Sequence, residues 1–367
     1  MKILMLTTHV NMGGISRYLY ILSKGLIARG HDVRLISSGG DMSARFEQLG
    51  VKLITMDIRT KSALSPKLYA ALGPIERTIR EGQTDVVHAQ TRVTQVMGHW
   101  LQKRTGVAYV STCHGYFKAK LSRRLFPCWG EVIAISEPVL VHLQKDFRVA
   151  KNKSHLVRHG IELEEFPEVF LEERSALRKK LGVGDGPFIG MLARLSGVKG
   201  QDILLRAIPK VIQAVGDVKL LLFGEGKTKP ELERIIDELK LNGQVRFFPV
   251  IDRTRESLSV LDICIVPSRQ EGLGLSVMEA QACAVAVIAS RVGGIVSLIE
   301  DGINGILVEP HNSDALAAAI IALLKDDAKR RSIALAAREH AFKDYSAATM
   351  VDKTIKVYEH AISKRRP

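Results

Sequence analysis

Ser268-Arg269-Gln270-Glu271-Gly272-Leu273-Gly274-Leu275-Ser276-Val277-Met278-Glu279-Ala280 is the stretch from which the rest of the chain is read. Before it, Leu261-Asp262-Ile263-Cys264-Ile265-Val266-Pro267 is a short apolar run ended by proline, the pattern of a buried parallel strand. After the glycines a helical pattern opens at Ser276. The order strand, glycine-rich loop, helix start lets the backbone amides of Leu273, Gly274 and Leu275 converge on an anion at the positive end of the helix dipole. Glu271 stands at the mouth of the loop and Glu279 on the first turn of the helix, so two carboxylates flank a phosphate site. Carboxylates repel phosphate but accept hydrogen bonds from hydroxyls. The spacing therefore suggests a ligand with hydroxyls on both sides of a phosphate, a nucleotide sugar.

Working outward, the first half alternates strand and helix. Lys2 to Thr7, Asp32 to Ser37, Val51 to Met56, Thr84 to His88, Val107 to Cys113 and Glu131 to Ile135 read as strands. Ile15 to Ala28, Lys67 to Arg80, Thr91 to Arg104 and Glu137 to Lys145 read as helices. The second half repeats the alternation. Its strands are Pro187 to Ala193, Val218 to Phe223, Val245 to Phe248 and Ile306 to Val308; its helices are Leu171 to Leu181, Ile203 to Ala214, Glu231 to Leu239 and everything from Asp314 onward. Such alternation predicts α/β architecture with parallel sheets covered on both faces, whose ligands bind at the carboxyl ends of the strands. The 367 residues suffice for two domains with a core each. The join falls near Val157-Arg158-His159-Gly160-Ile161, which predicts one domain over 1–163 and another over 164–346.

Composition narrows the setting. The net charge of +14 lies wholly in the first half: residues 1–160 hold 24 Lys and Arg against 10 Asp and Glu, whereas residues 161–367 hold 29 of each. An imbalance confined to one domain points to an anionic partner for that domain. Four cysteines, Cys113, Cys128, Cys264 and Cys283, lie far apart with no C-x-x-C pair, so neither a zinc site nor a disulfide framework is indicated. Cys113 stands next to a candidate site residue. The longest apolar run, Ala315 to Leu324, is too short to cross a bilayer, and Met1 to His9 has too short an apolar core for a signal peptide. Cytoplasmic residence is expected, with peripheral contact at the inner membrane surface. Lys118-Ala119-Lys120-Leu121-Ser122-Arg123-Arg124-Leu125-Phe126-Pro127-Cys128-Trp129 has the composition of a segment lying on an anionic membrane, its aromatics at headgroup depth.

Three further strand ends carry candidate chemistry. Gly13-Gly14 opens the first helix, where glycine lets backbone amides approach a phosphate closely. His114, in Thr112-Cys113-His114-Gly115-Tyr116, ends a strand where imidazole could donate to a sugar hydroxyl. His88 and His9 are similarly placed; His88 reads as structural and His9 as a lesser candidate for binding an acceptor. In the second half, Arg194 and Lys199 flank a turn after the strand Pro187 to Ala193 and before a helix. Two cations there suit a diphosphate, Arg as a rigid fork and Lys as a mobile point charge.

At Glu271-x7-Glu279 with its intervening Gly-Leu-Gly-Leu, and over nearly its whole length, the chain resembles the family 4 glycosyltransferases. That resemblance implies the GT-B fold, two Rossmann-like doubly wound parallel-sheet domains facing a central cleft. It implies that the last helix, about Ala347 to Ser363, crosses back so that 347–367 joins the first domain. It also implies that Glu279 binds ribose, Glu271 the sugar hydroxyls, and Gly272 to Leu275 the distal phosphate. Arg194 and Lys199 fall on the leaving diphosphate, Gly13 and Gly14 on the donor phosphates or the acceptor, and His114 on the donor. Reaction with retention at the anomeric carbon follows from the resemblance too. The chain departs from the family at Pro249-Val250, where glycine is usual, which puts base preference in doubt. Ala284 and Ala286 stand where glycine and proline are commoner.

The expected function is thus a retaining glycosyltransferase of cell-envelope polysaccharide, lipopolysaccharide or glycolipid synthesis. A UDP-sugar is favoured as donor and GDP-mannose second; the acceptor is a saccharide or lipid-linked saccharide. No cofactor and no metal are expected, because no two aspartates are spaced Asp-x-Asp to hold a divalent ion. A sugar-nucleotide epimerase of the same fold is the alternative. A nucleic-acid-binding protein is weaker still, since charge alone suggests it and it leaves Glu271 and Glu279 unexplained.

Overall fold

The computed structural model describes the chain except for residues 61, 63–64, 118–128, 168–170, 185, 250–253 and 366–367 and the side chain of Leu171. Most of the basic stretch Lys118 to Cys128, and Val250, therefore lie outside the described residues. The chain divides into two units, Met1–Gly160 with Ala347–Pro367, and Ile161–Ser346. The division falls three positions before the expected boundary at 163.

The first unit is a parallel sheet of β1 (Lys2–Leu6), β2 (Asp32–Ser37), β3 (Lys52–Thr55), β4 (Val86–Ala89), β5 (Ala108–Cys113), β6 (Glu131–Ala134) and β7 (Ser154–Leu156), in the order β3-β2-β1-β4-β5-β6-β7. The second is a parallel sheet of β8 (Phe188–Leu192), β9 (Lys219–Phe223), β10 (Val245–Phe248), β11 (Ile263–Val266), β12 (Ala286–Ser290) and β13 (Ile306–Val308), in the order β10-β9-β8-β11-β12-β13. Central strands such as β4, β5 and β11 are buried at every position. That is why they show no alternation of apolar and charged residues; β11 is apolar throughout, and the polar members of β4 and β5, His88, Ser111 and Thr112, are buried and hydrogen-bonded. In each sheet the winding reverses once, between β1 and β4 and between β8 and β11. Loops leaving those paired strands diverge to opposite faces and open a crevice at their carboxyl ends.

Helices close both faces. In the first unit, Gly14–Ile27 and the returning Ala347–Ser363 pack on one face, Pro66–Glu81 and Arg92–Thr105 on the other. Gly25 allows the close approach of the last helix, since a Cβ there would stand 2.4 Å from Val351 Cγ2. Among the described residues no helix is long and apolar enough to cross a membrane. Trp129, expected at headgroup depth, is instead 4% exposed. It packs edge-on against Phe147 at 5.5 Å, with the Arg92 guanidinium 5.4 Å from its ring. Its apolar surface belongs to the core, not to a lipid face.

Two histidines are core residues of the first unit. His88 is fully buried; Nδ1 meets Tyr358 Oη and Nε2 meets Thr112 Oγ1, each at 2.7 Å, so the last helix is tied to the sheet through a neutral ring. His159 is 3% exposed and holds Gly160 O at 2.7 Å through Nδ1. Burial pushes His88 down to about 3 and His159 down to about 4. Free cysteines Cys113, Cys264 and Cys283 are buried too. Burial pushes the Cys113 thiol up to about 12, which makes it inert at neutral pH.

Ala284 shows what the departure from glycine costs. It takes φ +53°, a left-handed conformation in the turn after the helix Leu275–Ala282. Such a conformation costs an L-residue about 1–2 kcal/mol, partly offset by the smaller entropy alanine loses on folding. Ala284→Gly is expected to raise stability by about 0.5–1 kcal/mol, read as a higher urea midpoint; an unchanged or lower midpoint would contradict the strain. The buried histidines give a second expectation. Their folded pKa values lie below the unfolded 6.5, so between about pH 4 and 6.5 the unfolded chain binds more protons. Stability is therefore greatest above pH 6.5 and falls as pH drops through that window, at up to about 1.4 kcal/mol per pH unit for each histidine. Urea midpoints measured from pH 7 to 4.5 check the slope, which His88→Gln should flatten.

Candidate functional site

The switch point of the second sheet assembles the motif residues. The loop after β11 runs from Pro267 to Gly274; the loop after β8 runs from Ala193 to Gly200. Arg269 locks them together. Its amide donates to Val198 O at 2.8 Å, its Nη1 to Gly197 O at 2.5 Å, and its guanidinium forks onto Asp202 at 2.8 and 2.6 Å. Burial opposes ionisation of Asp202, but the hydrogen bonds and charge of Arg269 outweigh it and hold the carboxyl below the usual range. Gly200 completes the seam. It sits at φ +75°, and a Cβ there would stand 2.0 Å from Pro267 O.

This seam brings the candidate residues into contact. Lys199 Nζ donates to Glu271 Oε2 at 2.5 Å, with Ser268 Oγ donating to the same oxygen at 3.2 Å. Gly294 N donates to Glu271 O at 3.1 Å, and a Cβ on Gly294 would collide with Gly272 O at 2.2 Å. Thus Val292-Gly293-Gly294 braces the loop from behind. Arg194 is exposed, with its carbonyl fixed by Gln201 Nε2 at 3.0 Å. Its guanidinium has no carboxylate partner among the described residues.

The helix after the loop is Leu275–Ala282, capped by Gly274 at φ +106°, with no acidic side chain in its first turn. The amides of Leu273, Gly274 and Leu275 donate to no backbone carbonyl among the described residues. Open amides at an uncompensated helix start attract an anion. Because the helix begins at Leu275 and not Ser276, Glu279 opens its second turn rather than lying on its first. It is 4% exposed, buried behind the loop and not at its mouth. The helix is held by Gln281, whose Nε2 donates to Leu298 O and Asn304 O while Tyr345 Oη donates to its Oε1 at 2.8 Å.

In the first unit the loops after β1, β4 and β5 carry the other candidates. Gly13 and Gly14 are exposed at the start of Gly14–Ile27, which has neither a side-chain cap nor an acid in its first turn. His9 is used by its own loop, Nδ1 accepting from Asn11 N at 3.2 Å. His114 is half-buried, edge-on to Tyr18 at 4.9 Å. Burial, with smaller effects of His159 and His88, pushes it down to about 3, so it is neutral. Its Nε2 meets Gln90 Oε1 at 2.9 Å. Gln90 thus takes one ring nitrogen, and the other meets a ligand as donor or acceptor according to the tautomer.

Arg269, Asp202 and Gln90 carry structure that the motif reading passed over. Arg269 lay inside the quoted motif, and its fork needs a carboxylate 67 positions away that only the fold identifies. Gln90 follows β4, and the signal for it was its place at a strand's carboxyl end beside the switch point.

Residues 173–340 match the family model described as glycosyl transferases group 1, and residues 12–165 match that of glycosyltransferase family 4. The chain is 29% identical to a D-inositol 3-phosphate glycosyltransferase of Xylanimonas cellulosilytica, over 97% of this chain and 93% of that one. It is 33% identical to a GDP-mannose-dependent monoacylated alpha-(1-6)-phosphatidylinositol monomannoside mannosyltransferase of Corynebacterium glutamicum, over 54% of each chain. The crystal structure of HepE from Anabaena in complex with UDP-glucose is similar in fold, with a TM-score of 0.86, 23% identity and 99% of both chains covered. Two parallel-sheet units and two matched family models together place this chain among the family 4 glycosyltransferases of GT-B fold.

Proposed function

We propose that this glycosyltransferase moves a sugar from a nucleotide-diphosphate sugar to a saccharide or lipid-linked saccharide, with retention at the anomeric carbon. The observation that carries the reading is the Lys199–Glu271 contact beside the open amides of Leu273 to Leu275. It sets a cation, a hydrogen-bond acceptor and an anion cradle side by side at one switch point. A nucleotide sugar presents diphosphate and hydroxyls in that proximity.

In this reading Glu279 takes the ribose hydroxyls and the helix start takes the distal phosphate. Glu271 accepts from hydroxyls of the transferred sugar and keeps Lys199 at the phosphate. As the sugar–phosphate bond breaks, negative charge grows on the diphosphate, where Arg194, Lys199 and the helix amides lower its energy. Such preorganised electrostatics is commonly the largest catalytic term. The acceptor approaches the face that the diphosphate leaves. His114, neutral, hydrogen-bonds to a sugar hydroxyl, while Gly13 and Gly14 border the acceptor or the donor phosphates. The cations and helix end do the work a metal does in other transferases, so no metal is assigned to the reaction.

UDP is the favoured base carrier and GDP the second. A fold neighbour crystallised with UDP-glucose and a relative named for GDP-mannose mark the two options. The one-sided charge of residues 1–160 supports an anionic, lipid-borne acceptor met at the inner membrane surface.

Two measurements test this. Purified protein is heated with UDP, GDP and ADP in turn; a nucleotide at 100 times its Kd stabilises by about 2.7 kcal/mol, so one should raise Tm, and Glu279→Gln should abolish the rise. No shift with any of the three would remove the nucleotide-sugar assignment. Glu271→Ala and Lys199→Ala should each lower turnover at least about tenfold, or about 1.4 kcal/mol, with folding intact. Because the two side chains touch, the double variant should lose less than the product of the single losses. Near wild-type turnover in either single variant would refute its assignment.

A further inference from the structure

The amino end of the first sheet, opposite the loops just described, holds a cluster that the transfer reaction does not use. Glu131 opens β6 and is 7% exposed. β7 pairs with β6 so that His155 lies beside Ile133, on the face that Glu131, two residues earlier, also serves. The last helix brings His360 to that face and, one turn on, Lys364, whose amide still donates to His360 O at 3.3 Å. His155 Nε2 lies 2.7 Å from Glu131 Oε2, and His360 Nε2 lies 3.7 Å from the same oxygen. One ligand atom from each of the three side chains lies within 4.8 Å of the other two.

We propose that Glu131, His155 and His360 bind a zinc ion that staples the last helix to the sheet of the first unit. Among the described residues His360 Nε2 is buried without a hydrogen-bond partner although it is aimed at a carboxylate oxygen. Leaving such a nitrogen unsatisfied is unfavourable, and a metal bond would recover the loss. Tetrahedral zinc with bonds near 2.0–2.1 Å sets its ligand atoms roughly 3.3 Å apart. The observed 2.7 and 3.7 Å straddle that spacing and all three ligand atoms lie within 4.8 Å of one another, so side-chain shifts of about 1–2 Å suffice. Two imidazoles and one carboxylate suit zinc, whereas magnesium prefers oxygen ligands throughout. Water fills the fourth position.

Binding has a proton balance. The proton shared between His155 Nε2 and Glu131 Oε2 must leave that nitrogen, moving to Nδ1 or to solvent, before its lone pair reaches the ion. Lys364 is the built-in competitor. Its Nζ sits 3.0 Å from Glu131 Oε1, the oxygen the ion does not take, and its charge repels a dication. The site thus weighs a lysine against zinc for one carboxylate. The cluster stands at the amino ends of β6 and β7, so it is separate from the absence of metal proposed for the reaction.

Full-length protein, dialysed against chelator, is titrated with zinc chloride and, for its visible spectrum, with cobalt chloride. One saturating zinc per chain, a higher Tm with zinc but not with magnesium, and a cobalt band of four-coordinate intensity are expected. His155→Ala and His360→Ala should each weaken zinc at least about tenfold, and Lys364→Met should tighten it. Circular dichroism checks each variant; should His155→Ala fail to fold, His360→Gln at its partly exposed position decides. No saturable zinc binding by the wild type, or binding that survives loss of His360, overturns the site.

Discussion

The fork of Arg269 onto Asp202 is the contact on which the donor side of this molecule depends. A parallel sheet delivers two loops to its switch point but does not set their register, because each loop leaves its strand on a different face. Arg269 sets it with four hydrogen bonds, two to carbonyls of the neighbouring loop and two to Asp202. A bidentate, partly buried pair is stronger and more directional than the exposed ion pairs scattered over the helices. With the register fixed, Lys199 falls on Glu271, and Gly200 slides under Pro267 O where no other residue would fit.

Much of this was legible in the sequence, for a physical reason. Parallel strands buried on both faces are apolar throughout, and glycines mark the turns that follow them, so nearly every strand and helix stands within about two residues of its expected place. Besides β12, Ala286–Ser290, which was not among the expected strands, what escaped was short or mutual. β7, Ser-His-Leu at a sheet edge, has no apolar run to announce it, and the helices Ser43–Gln48 and Thr254–Ser259 are under two turns long. Trp129 looked like a membrane aromatic because basic residues precede it, but Phe147 and Arg92 claim its ring. The hydrogen bond of His114 to Gln90, 24 positions away, is encoded by no local pattern.

The same limit separates kinds of site residue. Glycines and the Glu-x7-Glu spacing describe backbone shape, which is local and can be read directly. Polarity of a ring, or which oxygen of a carboxylate is taken, is decided by a partner from elsewhere in the chain. Glu131 illustrates this at the other end of the first sheet. Burial opposes its ionisation, yet hydrogen bonds from His155 and Lys364 hold the carboxyl below its usual range, and these partners come from β7 and the chain's last turn.

The two units handle charge in opposite ways, and the proposed reaction requires both. In the second unit Lys199 contacts Glu271 in the loop that leads to the open helix start, where the proposed reading puts the departing diphosphate. Residues 1–160 carry the whole net charge of the chain, yet at the strand ends His88, His114 and His159 are all driven to the neutral form by burial. His88 and His159 are core residues, whereas His114, neutral and held by Gln90, is the ring suited to meet a hydroxyl. In the proposed reading the excess cations of residues 1–160 act at a distance, raising the local concentration of an anionic acceptor.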